Sequence, residues 1–133
     1  MTYDEFMGQV QNRARLGSTG DAVRATRATL EVLAQRLYGG EAEDLAAQLP
    51  HEIQPFLEKT GPSEDFGVDE FFRRVSEVES VDLPEAVYHA RAVVSVLRDA
   101  VTPGEIEDMR AQLPGGYDPL FESGAAGRMS RAA

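Results

Sequence analysis

Hydrophobic residues recur at helical spacing along two long segments of the chain. In the first segment they stand three and four residues apart, at Val23, Thr26, Leu30, Leu33 and Leu37. The same spacing returns in the second half of the chain, at Val87, Ala90, Val94, Leu97 and Val101. A second stripe of mostly small or apolar residues lies beside each one, which gives a broad apolar face. The pattern predicts two long helices, each buried against several neighbours.

Start and stop signals predict shorter helices around these two. The predicted starts are Thr2 with Glu5, Ser18 with Asp21, Gly67 with Glu70, and Asp82 with Pro84 and Glu85. We expect Gly39-Gly40 and Pro103-Gly104 to end the long helices. A short third helix follows each long one and is stopped by Pro50 or Pro114. A brief hydrophobic segment comes next in both halves.

The two halves carry the same phrase, which indicates an internal duplication. Residues 39–57 read GGEAEDLAAQLPHEIQPFL, and residues 103–121 read PGEIEDMRAQLPGGYDPLF. Comparison of residues 22–57 with 86–121 gives 15 identities in 36 positions. The sequence therefore predicts an all-α fold, in which two tandem three-helix repeats pack as one compact helical bundle with pseudo-twofold symmetry.

The predicted organisation is one helical domain over residues 1–121. Repeat 1 covers residues 2–57, a linker covers 58–66, and repeat 2 covers 67–121. Each repeat alone would bury too little apolar surface to be stable, so we expect the two to share a core. Residues 122–133 show no periodicity and are predicted to form a flexible tail.

The charge and composition exclude several classes of function. The net charge is −10, from 23 acidic and 13 basic residues, which disfavours nucleic acid and anionic membranes as partners. No cysteine is present, so disulfides, thiolate nucleophiles and cysteine-ligated zinc are excluded. The sequence has neither a secretory signal nor an apolar stretch long enough to cross a membrane. These features predict a cytoplasmic protein.

A repeated polar set on the short third helices supplies the main candidate site residues. The set is Glu41, Asp44 and Gln48 in the first repeat and Glu105, Asp108 and Gln112 in the second. Spacings of three and seven residues place each trio on one helix face. Two carboxylates near an amide can bind a hard cation or form an interaction surface. We favour a structural role, in which the acids complement the helix dipole and each glutamine bonds backbone groups at the helix end.

Two arginines and two histidines are the other polar candidates. Arg27 and Arg91 match between the repeats. They are expected either to pair with carboxylates of the third helix or to be solvated, and a functional role is the least favoured. His51 and His89 lack metal-ligand spacing, and we expect His89 to be a satisfied boundary or interior residue. No catalytic motif, cofactor fingerprint or metal constellation is found, so we assign no catalytic, cofactor-binding or metal-binding residue.

The repeated phrase resembles a known family. Residues 27–37 followed by 40–50, and residues 90–97 followed by 104–114, are similar to the uncharacterised prokaryotic family called domain of unknown function 2267. The resemblance covers about residues 3–121. It implies a helical, cytoplasmic protein. It implies no activity, ligand or catalytic residue.

The residues favour a non-enzymatic interaction or adaptor protein that binds an unknown protein partner or forms a homodimer. The alternative is a small-ligand-binding or regulatory domain that uses a cleft between the repeats, near His89 or Tyr88. A third hypothesis is an enzyme that uses Glu41 with Asp44, or Glu105 with Asp108. It predicts that one such pair lines a concave pocket and has perturbed pKa values.

Overall fold

The computed structural model describes residues 1–122, and every regular element within them is helical. The α-helices are α1 (Tyr3–Arg13), α2 (Thr19–Arg36), α3 (Glu41–Ala47), α4 (Val68–Glu79), α5 (Leu83–Ala100) and α6 (Pro103–Ala111). Two short 3-10 helices follow α3 and α6, and we call them the first foot (Gln54–Leu57) and the second foot (Gly115–Phe121). The predicted all-α class is confirmed.

The predicted helix starts are found where the side chains supply caps. Thr2 and Glu5 form a reciprocal capping box at α1. The Ser18 hydroxyl caps α2 and the Asp82 carboxylate caps α5, and each accepts from the backbone N–H three residues on. These bonds satisfy donors that a helix start otherwise leaves free.

One predicted boundary was wrong. We expected Pro103-Gly104 to end the second long helix, but α5 already ends at Ala100, and Pro103 is the first residue of α6. The Thr102 hydroxyl caps this helix by accepting from the Glu105 N–H at 3.3 Å. Proline is well suited to a first helical position because it lacks an N–H that would have no partner there.

Both halves of the chain contribute to one hydrophobic core. The long helices α2 and α5 pack on each other, α1 packs on both, and α4 also packs on both. Phe71 is fully buried on α4 and meets the Tyr117 ring of the second foot edge-on, with centroids 5.9 Å apart. The predicted division into repeats, and the pseudo-twofold axis between them, stay predictions.

The segment after the first foot is bonded to the end of α2. The Lys59 ammonium donates to the carbonyls of Ala34 at 3.0 Å and Leu37 at 2.7 Å. The Phe66 carbonyl accepts from the Arg36 guanidinium at 2.8 Å and from the Tyr117 hydroxyl at 2.7 Å. The predicted linker 58–66 is therefore fixed near both of its ends. Of the predicted tail, residues 123–133 lie outside the described residues.

Two glycines direct the chain from α2 into α3. Gly39 and Gly40 have φ values of 65° and 83°, a left-handed conformation in which side chains are strained. The turn brings α3 against α6, the equivalent helix of the second half. The candidate site residues of both halves consequently lie near one another.

Candidate functional site between α3 and α6

The contact between α3 and α6 divides the predicted acidic residues into a buried and an exposed pair. Glu41 is 7% exposed and Glu105 is 9% exposed, whereas Asp44 and Asp108 are exposed at the surface. We expected Glu41 and Asp44 to act together on one helix. The structure instead pairs Glu41 with Glu105 of the other half, and we call these two residues the carboxyl pair.

Within the described residues, the carboxyl pair lacks a positively charged neighbour. No lysine, arginine or histidine nitrogen in residues 1–122 lies within 4.0 Å of either group. Burial raises the pKa of Glu41 to about 8, and a hydrogen bond and charge repulsion from Glu105 act in the same direction. Asp108 and Asp44 add further repulsion. Each of these effects disfavours the ionised form of Glu41.

Two oxygen atoms of the carboxyl pair also have no hydrogen-bond partner among residues 1–122. Oε2 of Glu41 and Oε2 of Glu105 are buried and accept no hydrogen bond within the described part of the chain. Glu105 Oε1 receives only a long bond of 3.4 Å from the Gln48 amide. A buried oxygen without a donor is costly when the carboxyl group is ionised. A shared proton is the simplest way to satisfy one of these atoms.

The two glutamines bridge the halves in opposite directions. Gln48 Oε1 accepts from the Thr102 N–H at 2.8 Å. Gln112 Oε1 accepts from the Tyr38 N–H at 2.9 Å, and its amide donates to the Tyr38 carbonyl at 2.9 Å. Tyr38 and Thr102 occupy matching positions in the two halves, as the glutamines do. Both glutamines bond backbone groups, but these groups lie near the start of the opposite short helix and not at the end of the glutamine's own helix.

The two arginines do not contact the carboxylates of α3 and α6. Arg27 lies over the Phe56 ring of the first foot, 5.0 Å from its centroid. Arg91 donates to the Pro119 carbonyl of the second foot at 2.8 Å and lies 3.6 Å from Glu122. The pairing with the third helix, one of the two outcomes that we expected, is therefore wrong, and Arg27 is exposed, as the other outcome required. Both arginines hold a foot against its long helix.

Glu79 and His89 form a second buried ionisable pair, which the sequence pattern did not predict. His89 Nδ1 lies 2.5 Å from Glu79 Oε2, and the residues are 5% and 4% exposed. In the first half, alanines stand at the matching positions, Ala14 and Ala25. His89 is satisfied inside the protein, as expected. The sequence held a sign of this pair, because Glu79 stands at the position that matches Ala14, just after the first helix.

The geometry gives little support for a metal or substrate site. Residues 1–122 hold no group of three or more His, Cys, Asp or Glu side chains placed to ligate a metal. Four surface hollows have volumes from about 350 to about 490 Å³, and neither member of the carboxyl pair lines them. Tyr88 and His89 do not line these hollows either. The perturbed pKa of Glu41 thus occurs in a packed contact.

Comparison with known proteins places the chain in a family. No helix of the described residues is long and apolar enough to cross a membrane. No curated protein matches the chain. A family model described as an uncharacterized conserved protein (DUF2267) matches residues 3–120, which is most of the sequence. The chain belongs to the DUF2267 family.

Proposed function

We propose that the protein is a non-enzymatic interaction or adaptor protein of the cytosol that binds a basic protein partner. The proposed binding surface is the acidic face, which we define as the exposed residues Glu43, Asp44, Glu107 and Asp108 of α3 and α6. One observation carries the proposal. None of the six acids of α3 and α6 has a basic side chain within 4.0 Å in the part of the chain that the structure describes.

Some other acids of this protein are paired with arginines, whereas Asp4, Glu52, Asp69 and Glu85 have no such pair within the described residues. Glu70 on α4 is paired with both Arg73 and Arg74, and Asp99 on α5 is paired with Arg13 at 2.7 Å. The acidic face has no such pair within the described residues, although Arg98 and Arg110 line the same hollow as Glu107. Lysine or arginine side chains of a partner would relieve the repulsion among the carboxylates of the acidic face, and the field of the face would steer such a partner toward it.

The alternatives are less well supported. A homodimer through the acidic face would place like charges against each other, which costs free energy. A small ligand between the repeats needs a cleft. One hollow of about 350 Å³ is lined by Arg36, Tyr38 and Gln112 of the two halves, but neither the carboxyl pair nor Tyr88 and His89 line it. Catalysis by Glu41 would need access for a substrate, and Glu41 is 7% exposed.

The test compares two variants of equal charge. The face variant carries Glu43→Gln, Asp44→Asn, Glu107→Gln and Asp108→Asn. The control variant carries Asp4→Asn, Glu52→Gln, Asp69→Asn and Glu85→Gln, which are exposed acids on other parts of the surface. Each tagged protein is used to recover partners from its native cytosol. A recovered basic protein is then purified, and its affinity is measured by calorimetry at low and high salt.

We expect the wild type and the control variant to bind the same basic partner with similar affinity. The face variant should bind it about tenfold more weakly at low salt, because charges at the edge of an interface act mainly through steering and salt-dependent attraction. Salt should reduce this difference. Equal binding by both variants would reject the acidic face. A partner that is acidic or neutral would reject the proposed chemistry. Light scattering on the free protein tests the homodimer directly.

A further inference from the structure

We propose that Glu41 and Glu105 share one proton and that this proton holds α3 against α6. The protein would then contain a contact that tightens at acidic to neutral pH and loosens as the proton is lost. The proton would act on the packing of the two short helices, with or without a partner. Three features favour it: the burial of the carboxyl pair, its oxygens without a donor in the described residues, and the charges around it.

Burial makes two negative charges at this contact unfavourable. Both carboxyl groups are about nine-tenths buried or more, and each keeps an Oε2 atom without a donor in residues 1–122. Two ionised carboxylates in contact repel strongly in an environment with little water. A single proton turns the same geometry into a charge-assisted O–H···O hydrogen bond, which is among the stronger hydrogen bonds in proteins. The shared proton therefore favours the packed arrangement.

The surrounding groups increase this preference. From α6, Glu105 and Asp108 act on Glu41, and from its own helix Asp44 acts on it. The first foot also packs on α3, but its residues Gln54–Leu57 include no ionisable side chain. Arg110, the basic residue of α6, lies 3.2 Å from Asp118. The charged groups that raise the pKa of Glu41 are all acids, so each favours retention of the proton.

The direction of the pH dependence follows from the proton balance. The pKa of Glu41 is raised from 4.5 to about 8 in the folded protein. Between these values the folded protein keeps a proton that the unfolded chain has released. The stabilisation that the retained proton gives the folded protein is fully present below about pH 4.5. It decreases as the pH rises towards 8 and does not change further above that value. Replacement of either Glu41 or Glu105 by glutamine should remove this dependence of stability on pH.

The first experiment measures urea unfolding of the full chain between pH 5 and 9. Glu41→Gln and Glu105→Gln keep the side-chain shape and supply a permanent N–H donor to the remaining carboxylate. Glu43→Gln is the matched control, because Glu43 is an exposed acid of the same helix. As the pH rises, the equilibrium constant for unfolding of the wild type and of the control should increase by up to about tenfold per pH unit. This increase is measured relative to the unfolding constants of Glu41→Gln and Glu105→Gln at the same pH. Parallel curves for all four proteins would overturn the proposal.

A second measurement needs no folded variant. The glutamate side-chain carboxyl carbons of the wild type are followed by NMR between pH 4 and 10. We expect a glutamate carboxyl that titrates near pH 8, and the absence of any glutamate titration above about pH 6 would reject a shared proton. Calcium or magnesium at millimolar concentration is then added at pH 8. Stabilisation of the wild type but not of Glu41→Gln would show that the pair takes a cation, which also overturns the proposal.

Discussion

Replacement of Gln112 by alanine tests whether the glutamines join the two halves. The Gln112 amide makes two bonds of 2.9 Å with the N–H and carbonyl of Tyr38, which lies in the other half of the chain. A typical hydrogen bond contributes about 0.5–1.5 kcal/mol net, so the two bonds together contribute about 1–3 kcal/mol. Tyr38 is 52% exposed, and water can replace part of the loss. We expect a destabilisation of about 1–2 kcal/mol.

The assay is urea denaturation followed by circular dichroism at fixed pH, supported by thermal unfolding. A loss of this size should lower the melting temperature by roughly 3–8 °C in a domain of this length. Gln11→Ala is the control, because the Gln11 amide makes only one long bond of 3.5 Å, with Thr19 of the neighbouring α2. The reasoning is refuted if Gln112→Ala unfolds at the same urea concentration as the wild type, or if the control loses as much stability.

Two further changes probe the polar groups inside the protein. Tyr117→Phe removes one of two donors to the Phe66 carbonyl, and because the Arg36 donor remains we expect a loss of only about 0.5–1.5 kcal/mol in urea unfolding. A loss above about 3 kcal/mol would show that the ring also moves. Glu79→Ala and His89→Ala each leave a buried polar group without its partner and should cost about 2 kcal/mol or more. The double variant should lose less stability than the two single variants added together, by about 1–3 kcal/mol. Losses of stability that simply add would argue against a coupled pair.

The helices were predictable because their signals are local. Caps such as Ser18 and Asp82 act within three residues, and the apolar stripes of α2 and α5 repeat within two turns. The mistake at Pro103 has a local cause as well. A proline can follow one helix or begin the next, and the cap at Thr102 decides between the two.

The site was only partly predictable because its contacts join distant segments. The repeated phrase identified Glu41 and Glu105, yet each was interpreted within its own helix, where an acid in the first turn complements the dipole. Their true environment depends on the contact between α3 and α6, which belong to opposite halves of the chain. The glutamines were expected to bond backbone groups at the end of their own helix, whereas the bonded groups belong to the opposite half.

The environment of Lys59 has a consequence for chemical labelling. It is the one lysine of the sequence, and its ammonium is held by two carbonyls at the end of α2 and by the Ser63 hydroxyl at 2.8 Å. An amine reagent attacks the free, deprotonated amine, so this side chain must leave its three acceptors before it can react. The rate of acylation at this single position therefore reports how often the Lys59 side chain leaves the carbonyls at the end of α2. The single lysine thus provides a kinetic probe of the contact between the predicted linker and α2.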